Sequence, residues 1–446
     1  MQRTNIFSHR PRLMSPQVIT LLFFICIICT SNLRAANFDR GYFRYRILPG
    51  DFNVEVDWLI EAKLDEHPVS RLEIPPTVEY NGEVYTVRSI SNHAWIIQNN
   101  IVTSIKLPET LTEISPSIPW ARKDLKEIIM DEANPYFTSL EGILYNKDLS
   151  KLILCPPGLE EVEVAEGVAA IGPYAFKDGL LHSIKLPEGL NSIESDAFLN
   201  CRNLESVEFP STLSEVSYRA FGGCGSLKRV SIPASLKKIY PTAFKLCHNL
   251  TDFSVDNDNP YMTAEGPMLF NKDKTELLQF PSAVGDVIVP DGVKKTDSYL
   301  FAYNNEITSV TFPASLEAFH VYPFFSCDEI KWIKLYSPTP PEIIGVYYMG
   351  NGFITESEYP DWDNFHVVIY IPAESEELYR NAEAWWRRNL VPFDAGSGIS
   401  GVMEEDSWEV YTVNGLHILT TSNYEEINSL PAGFYVINGK KILKNR

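Results

Sequence analysis

The sequence is short of positive charge, of histidine, of cysteine and of long apolar runs. Lys and Arg number 38 against 58 Asp and Glu, a formal net charge of −20 over 446 residues. That acidic surplus disfavours nucleic acid and anionic lipid as main partners, because both repel it. The one apolar run of note, Val18 to Cys29, falls well short of the roughly 20 residues a bilayer crossing needs. No second run of spanning length follows, so the chain is not expected to span a membrane. Two of the cysteines lie in that leading run. The other five, Cys155, Cys201, Cys224, Cys247 and Cys327, are an odd number scattered over a long chain, which is no disulfide framework.

Catalytic motifs are missing as well. The histidines form no H-x-x-x-H, and there is no G-x-S-x-G, phosphate loop or dinucleotide fingerprint. His248 follows Cys247, but no third group is in place to orient a Cys-His pair. The reading is therefore of a protein that is not an enzyme and carries no cofactor. Two acidic patches, Asp131-Glu132 with Asn134 and Asp256-Asn-Asp-Asn259, offer oxygen ligands but lack the spacing of a calcium loop. Asp and Asn capping their own backbone in a turn explain both patches better, so no metal is expected.

What is present begins with residues 1–36. Arg3, Arg10 and Arg12, then the apolar run, then Ser-Asn-Leu-Arg-Ala-Ala stand in the order of an export signal peptide. Cys26 and Cys29 each follow Ile, where a lipid-anchored signal would ask for a small residue, so unlipidated export is expected. The location is then extracellular or the outer cell surface, with the periplasm as the alternative.

Aligning the chain on itself reveals a repeat. Phe176, Phe198, Phe221 and Phe244 are spaced 22, 23 and 23, and Pro187, Pro210 and Pro233 are spaced 23 and 23. Cys201, Cys224 and Cys247 keep the same interval. A longer period of 125 residues relates Pro108 to Pro233, Asn134 to Asn259, Asn146 to Asn271, Pro156 to Pro281 and Phe176 to Phe301. A block of several units has been duplicated whole.

Period-2 alternation places short strands near 105, 128, 152, 162, 184, 207, 230, 253, 277, 287, 310 and 333. Pairs such as Ile184/Leu186, Val207/Phe209 and Val230/Ile232 point inward. A strand so short buries nothing alone, so successive turns must stack on a shared core. The aligned phenylalanines form the opposite wall, and the three aligned cysteines are read as buried thiols in a tight corner. Metal ligation is disfavoured there because no His or acid recurs in register.

The unit I-x-x-x-A-F-x-x-C-x-x-L-x-x-V-x-x-P resembles the BspA-like leucine-rich repeats of bacterial cell-surface proteins. It is plainest at 171–254 and recognisable over 87–345. The resemblance implies a leucine-rich repeat solenoid of parallel strands, a secreted or surface location, and adhesion or protein binding, with host proteins, matrix or other bacteria as targets. It implies no catalytic residues. The chain departs from the pattern at Ala94-Trp95 and Phe324-Phe325, read as standing for Ala-Phe, and at Asp178-Gly179 and Asn304-Asn305, read at the Cys position.

Outside the repeats, residues 37–86 read as an N-terminal β cap, with strands over 43–47 and 53–58 and a hairpin at Asn81-Gly82. Residues 346–394 read as a C-terminal cap: a strand at Val367–Ile371, then a helix over Glu374–Asn389 with Leu378, Ala382, Trp385 and Trp386 inward. Residues 395–407 read as a linker and 408–446 as a small β tail with hairpins at Asn414-Gly415 and Asn438-Gly439. The tail resembles a shortened C-terminal module of exported Bacteroidota-type proteins, some of which are sorting signals.

The candidate binding surface is the row of strand residues that flank the buried pairs. It includes Ile129, Lys185, Glu208, Arg229, Trp332 and Lys334, and Tyr347, Tyr348, Trp362 and Phe365 add a loop patch. Trp332 is expected to pack on the 345–366 segment. Two other functions stay open. One is a structural or assembly component of the envelope that self-associates; the other is a hydrolase on glycan or peptide, which would need a pocket with paired carboxylates.

Overall fold

A strand of three or four residues has too few apolar side chains to hold itself folded, and the chain solves this by winding. The computed structural model describes residues 37–49, 52–92, 101–116, 123–320, 323–344, 348–349, 352–353, 367–382, 389–394, 408–412, 417–421, 430, 433–437 and 440–444. Contacts divide the chain into two compact units, residues 1–68, 74–99 and 110–119, and residues 69–73, 100–109 and 120–446.

The first unit is a β-sheet in the order Asn37–Arg40, Phe43–Ile47, Asn53–Leu59, Glu83–Ile90, Thr77–Tyr80. The Asn81-Gly82 turn joins the last two, Asn81 with φ 54° and Gly82 with φ 81°, the double left-handed geometry a tight hairpin requires. Its core is Phe43, Tyr45, Val54, Val56 and Leu59.

In the second unit the chain winds as a parallel β-solenoid with two hydrogen-bonded ladders. The first carries the strands Arg71–Glu73, Ser104–Leu107 and Glu127–Met130, then Glu161–Glu163 and Ser183–Lys185, then Ser206–Glu208, Arg229–Ile232 and Asp252–Val255. It continues with Gly285–Ile288, Ile307–Phe312, Trp332–Leu335, Val368–Pro372 and Asn389–Phe393. Every pairing among these is parallel, with like residues in register: Val207 beside Val230, Val230 beside Phe253.

The second ladder is made of two-residue strands, Ala170–Ile171, Ser192–Ile193, Glu215–Val216 and Lys238–Ile239. An antiparallel hairpin, Phe137–Leu140 with Ile143–Asn146, leads into it through Lys151–Leu154. The same device recurs one long period later as Met262–Glu265, Met268–Asn271 and Glu276–Gln279. This corrects one expectation. The strands centred near 152 and 277 lie on the second ladder, not in line with those near 162 and 287. The two spacings of 10 therefore mark two sides of one turn, not two successive turns.

The third side is loops, also tied turn to turn. Phe176 N–H donates to Ala197 O at 2.7 Å, Phe198 N–H to Ala220 O at 2.7 Å and Phe221 N–H to Ala243 O at 2.8 Å. Phe301 N–H donates to Pro323 O at 2.9 Å, and the Phe301 and Phe324 rings stack at 5.5 Å. In the later unit, then, Pro323-Phe324 holds the Ala-Phe place, one residue earlier than the sequence alignment assigns it. Each loop bends through two left-handed residues that bracket the phenylalanine, such as Asp196 and Asn200, or Thr242 and Leu246. The bends bring the rings into a column: centroids 4.7, 4.8 and 5.4 Å apart along Phe176, Phe198, Phe221 and Phe244, with planes within 11°. That spacing matches the rise between adjacent strands, so repetition alone produces the stack.

The C-terminal segment differs from expectation in its helix. A 3-10 turn at Ala373–Ser375 leads into an α-helix of only Glu376–Asn381, because the next strand, Asn389–Phe393, must return to pair in parallel with Val368–Pro372. Tyr379 faces the core and Leu378 is 55% exposed, reversing the expected inward position of Leu378. Tyr379 Oη donates within reach of Ser337 O at 3.0 Å and Thr339 O at 3.3 Å. Ala382 packs on the core, and Trp385 and Trp386 lie outside the described residues. The tail holds a four-stranded antiparallel sheet, His417–Thr421, Trp408–Thr412, Gly433–Ile437, Lys440–Lys444. Its two expected turns, Asn414-Gly415 and Asn438-Gly439, lie outside the described residues, as do Ala94-Trp95 and residues 1–36.

Candidate binding surface

Alternation along the first ladder turns every second side chain to solvent, and parallel register aligns these from turn to turn. Lys185, Glu208 and Arg229 are exposed, and Ile129, Trp332 and Lys334 are partly so. The row is laced by ion pairs between successive turns. Lys185 pairs with Glu163, Arg229 with Asp252 at 3.0 Å, Lys228 with Glu205 at 3.0 Å and Lys106 with Glu73 at 2.7 Å. The Glu163 carboxylate, accepting from Lys185, raises that amine's pKa. Exposed pairs of this kind add little stability. Their consequence is a flat face of alternating charge rather than a patch of one sign.

Two other residues that flank buried positions on this ladder are not on the surface. Ser104 and Ser309 are buried. Arg71 Nε donates to Ser104 Oγ at 3.3 Å, and Ser309 Oγ donates to Asp286 Oδ1 at 2.5 Å. Ser104 lies between Arg71 and Glu127, and Ser309 between Asp286 and Trp332; a short side chain flanked by larger ones is covered by them, which alternation alone does not reveal.

Trp332 packs edge-on against Tyr370, with centroids 6.1 Å apart and planes at 78°, across the parallel pairing of Trp332–Leu335 with Val368–Pro372. Its described partner is the strand beyond the 345–366 segment; most of that segment, and with it the expected packing, lies outside the described residues. The Lys334 amine lies 4.2 Å from the Phe393 ring centroid and 5.0 Å from that of Tyr336, a cation held on aromatic faces. Tyr348 belongs to a short strand, Tyr348–Met349, paired with Gly352–Phe353. Tyr347, Trp362 and Phe365 lie outside the described residues.

The cysteines form a ladder of their own. The thiols of Cys201, Cys224, Cys247 and Cys327 donate to the carbonyls of Phe176, Phe198, Phe221 and Phe301 at 3.0, 3.2, 3.1 and 2.9 Å. All are free and buried. Burial raises the thiol pKa of Cys201 and Cys224, and pushes that of Cys327 up to about 11. These are poor nucleophiles and serve as buried donors. Asn304 takes the same place in its turn, its Nδ2 donating to Ala283 O at 2.7 Å, which explains that departure from the repeat.

The acidic patches are turns. Asn134 and Asn259 are wholly buried. Asn259 Oδ1 accepts from Tyr261 N at 2.8 Å and Met262 N at 2.9 Å, and its Nδ2 donates to Pro233 O at 2.8 Å and Leu236 O at 3.1 Å. Asn134 repeats this against Tyr136, Phe137, Pro108 and Glu109. Both amides are committed to backbone. Asp131 and Asp256 each accept from a backbone N–H two residues on. Among the described residues no three His, Cys, Asp or Glu side chains are grouped to hold a metal ion, and no helix is long and apolar enough to cross a membrane.

The loop side was not singled out in the sequence as a surface, yet it carries exposed rings. Tyr218 is 49% exposed and Tyr303 42%. Only the left-handed bends bring these residues out, and such bends leave no hydropathy pattern.

A family model described as the BspA type leucine-rich repeat region matches residues 169–288 and 281–361, in six copies. No curated protein matches the chain. Among solved structures, a leucine-rich repeat protein from Bacteroides ovatus is 22% identical, covering 69% of this chain and 76% of its own, with a TM-score of 0.35. One from Eubacterium ventriosum is 18% identical, covering 63% and 68%, with a TM-score of 0.36. A leucine-rich cell surface protein from Faecalibacterium prausnitzii is 18% identical, covering 81% and 95%, with a TM-score of 0.35.

Proposed function

We propose, from the premise that residues 169–361 of this chain are BspA-type leucine-rich repeats, that it is an exported, non-catalytic binding protein of the cell surface. Its partner is a protein, of the host or of another bacterium, held along the exposed row of the first ladder. The observation that carries this reading is the row itself. Lys185, Glu208 and Arg229 stay exposed on strands whose neighbours pair in strict parallel register, so one partner meets equivalent positions over several turns. A stable protein interface needs about 800 Å² per partner, which a ladder supplies and an isolated loop does not. The ion pairs between turns hold the long side chains in place before a partner arrives, which lowers the ordering cost of binding. Ile129 and Trp332 are the apolar anchors in an otherwise polar row. Residues 1–36 direct export, residues 395–407 are a linker, and the sheet within 408–446 sorts the protein to the surface.

Protease shaving of intact native cells tests this, comparing the full chain with one truncated after Asp406. Release of peptides from 171–254 by the full chain alone is the expected result. Protection of those repeats in both strains would place the protein inside the envelope and replace adhesion with an envelope-structural role.

A further inference from the structure

The first ladder is interrupted where each duplicated block places its hairpin. Ile128 N–H donates to Gly142 O at 2.8 Å and Phe253 N–H to Gly266 O at 3.1 Å, so each hairpin closes the strand before it. The strands that resume the ladder, Glu161–Glu163 and Gly285–Ile288, pair among the described residues only with the turn that follows. Parallel pairing spends the backbone groups of alternate residues. Ser183 N–H donates to Glu160 O at 3.4 Å and Val164 N–H to Lys185 O at 3.0 Å, which turns Glu160, Val162 and Val164 towards the next turn. The N–H and C=O of Glu161 and Glu163 therefore point to the opposite edge, where no backbone partner meets them among the described residues. Such an edge is a template for another strand.

The second of these strands already has a neighbour. The outermost strand of the tail sheet, Lys440–Lys444, lies against Gly285–Ile288. Its sequence is Lys-Lys-Ile-Leu-Lys, and Asn445-Arg446 follow, a basic end to a chain of net charge −20. The 125-residue duplication sets Glu160, Glu161, Glu163 and Glu166 at the places of Gly285, Asp286, Ile288 and Asp291. The first edge thus carries four acids where the second carries two, and all four are exposed. Lys185 pairs with Glu163 and leaves the other three acids without an ion pair among the described residues.

We infer that the Glu161–Glu163 edge is a docking site for a second copy of this chain, which adds its Lys440–Lys444 strand to the ladder. The occupant is a strand because the edge offers a row of open backbone groups, and it is basic because acids flank that row. The chain's own tail is poorly placed to serve. Asn389–Phe393, from which the tail departs, lies nine strands beyond Glu161–Glu163 on the ladder. At the usual strand spacing that is on the order of 40 Å, close to the full extended length of residues 395–407. A neighbour's tail has no such span to cross. It leaves Gly285–Ile288 of its own chain for the equivalent, more acidic edge next door, an exchange of one element between copies. Each copy offers one tail and one such edge, so the contact is head-to-tail and continues from copy to copy. It uses the edge of the ladder and not its exposed row, and so does not depend on the protein-binding role proposed for that row.

Light scattering of the full chain over a hundredfold range of concentration tests this. The mass is expected to rise with concentration, and the rise to weaken with salt. Reversing the edge, Glu160→Lys with Glu161→Lys, weakens association at least tenfold, and so does reversing the strand, Lys440→Glu with Lys444→Glu. Mixed together, the two reversed chains associate again, since each edge then meets a tail of opposite charge. Glu160 and Glu161 are exposed, so the edge variant keeps its fold, and recovery in the mixture reports that both variants have kept theirs. A mass that stays monomeric, association that survives either reversal, or a mixture that fails to associate would each overturn the proposal. So would a monomer in which carbodiimide joins Lys440 to Glu161 of the same chain, because the edge would then seat its own tail.

Discussion

Single residues show where this repeat is satisfied and where it is not. Thr296 occupies an inward position on the second ladder, beside Leu277 and Phe319, and its buried hydroxyl has no hydrogen-bond partner. Valine has the same shape without the polar atom, so Thr296→Val is expected to stabilise the chain by about 1 kcal/mol. A urea midpoint that fails to rise would show the hydroxyl to be satisfied. Asp297, next along, has its pKa pushed up to about 7 from 3.8. Burial is the first cause and the nearby Glu276 adds to it, against the Ser298 N–H and Lys238, which lower it. The folded chain thus holds a proton between about pH 4 and 7 that the unfolded chain has released. Stability is greatest below that window and falls as pH rises through it, by at most about 1.4 kcal/mol per pH unit. Asp297→Asn is expected to flatten this slope in melts from pH 4 to 8, and an unchanged slope would reject the assignment. The buried thiols give a third expectation. Cys201, Cys224 and Cys247 resist iodoacetamide at pH 8 in the folded chain, and all react once it is denatured, as mass spectrometry can follow.

At the scale of elements, the first ladder was legible because its strands alternate and recur at 22 to 24 residues. The second was not, since a two-residue strand such as Ser192–Ile193 is too short to show a period. The hairpins that open each duplicated block were visible only as a repeated Asn-Pro-Tyr. Their structural role rests on Asn134 and Asn259, each of which ties the hairpin to the turn before it through four hydrogen bonds. Asn259→Ala leaves backbone groups unpaired in a buried site and is expected to cost about 3 kcal/mol. Asn257→Ala, at an exposed position two residues away, should change stability by less than about 0.5 kcal/mol. Comparable costs from the two variants in denaturant melts would refute the clamp. The C-terminal helix was misread for a reason of the same scale. Helical spacing of Leu378, Ala382 and the tryptophans suggested a long amphipathic helix, but pairing of Asn389–Phe393 with Val368–Pro372 leaves room for two turns only.

For the solenoid as a whole, stability is shared between neighbours, since each turn touches only the next. Among the described residues from 143 to 390, the buried apolar side chains nevertheless gather into two clusters, one running from Ile143 to Leu269 and the other from Met268 to Leu390. They meet at the strand Met268–Asn271 of the second hairpin, where inward residues go alternately to one side and the other. Native-state hydrogen exchange is expected to resolve two cooperative blocks that change over near residues 262–271. A single opening free energy across 143–390 would contradict this.

Repetition is a local property of the chain, so the sequence by itself determined the solenoid, the duplication, the phenylalanine column and the exposed strand row. Each follows from side-chain type at fixed intervals. Pairing between turns is not local, and only the tertiary structure decided it. That structure set Lys185 on Glu163 and Arg229 on Asp252, covered Ser104 and Ser309, and turned Tyr379 rather than Leu378 inward.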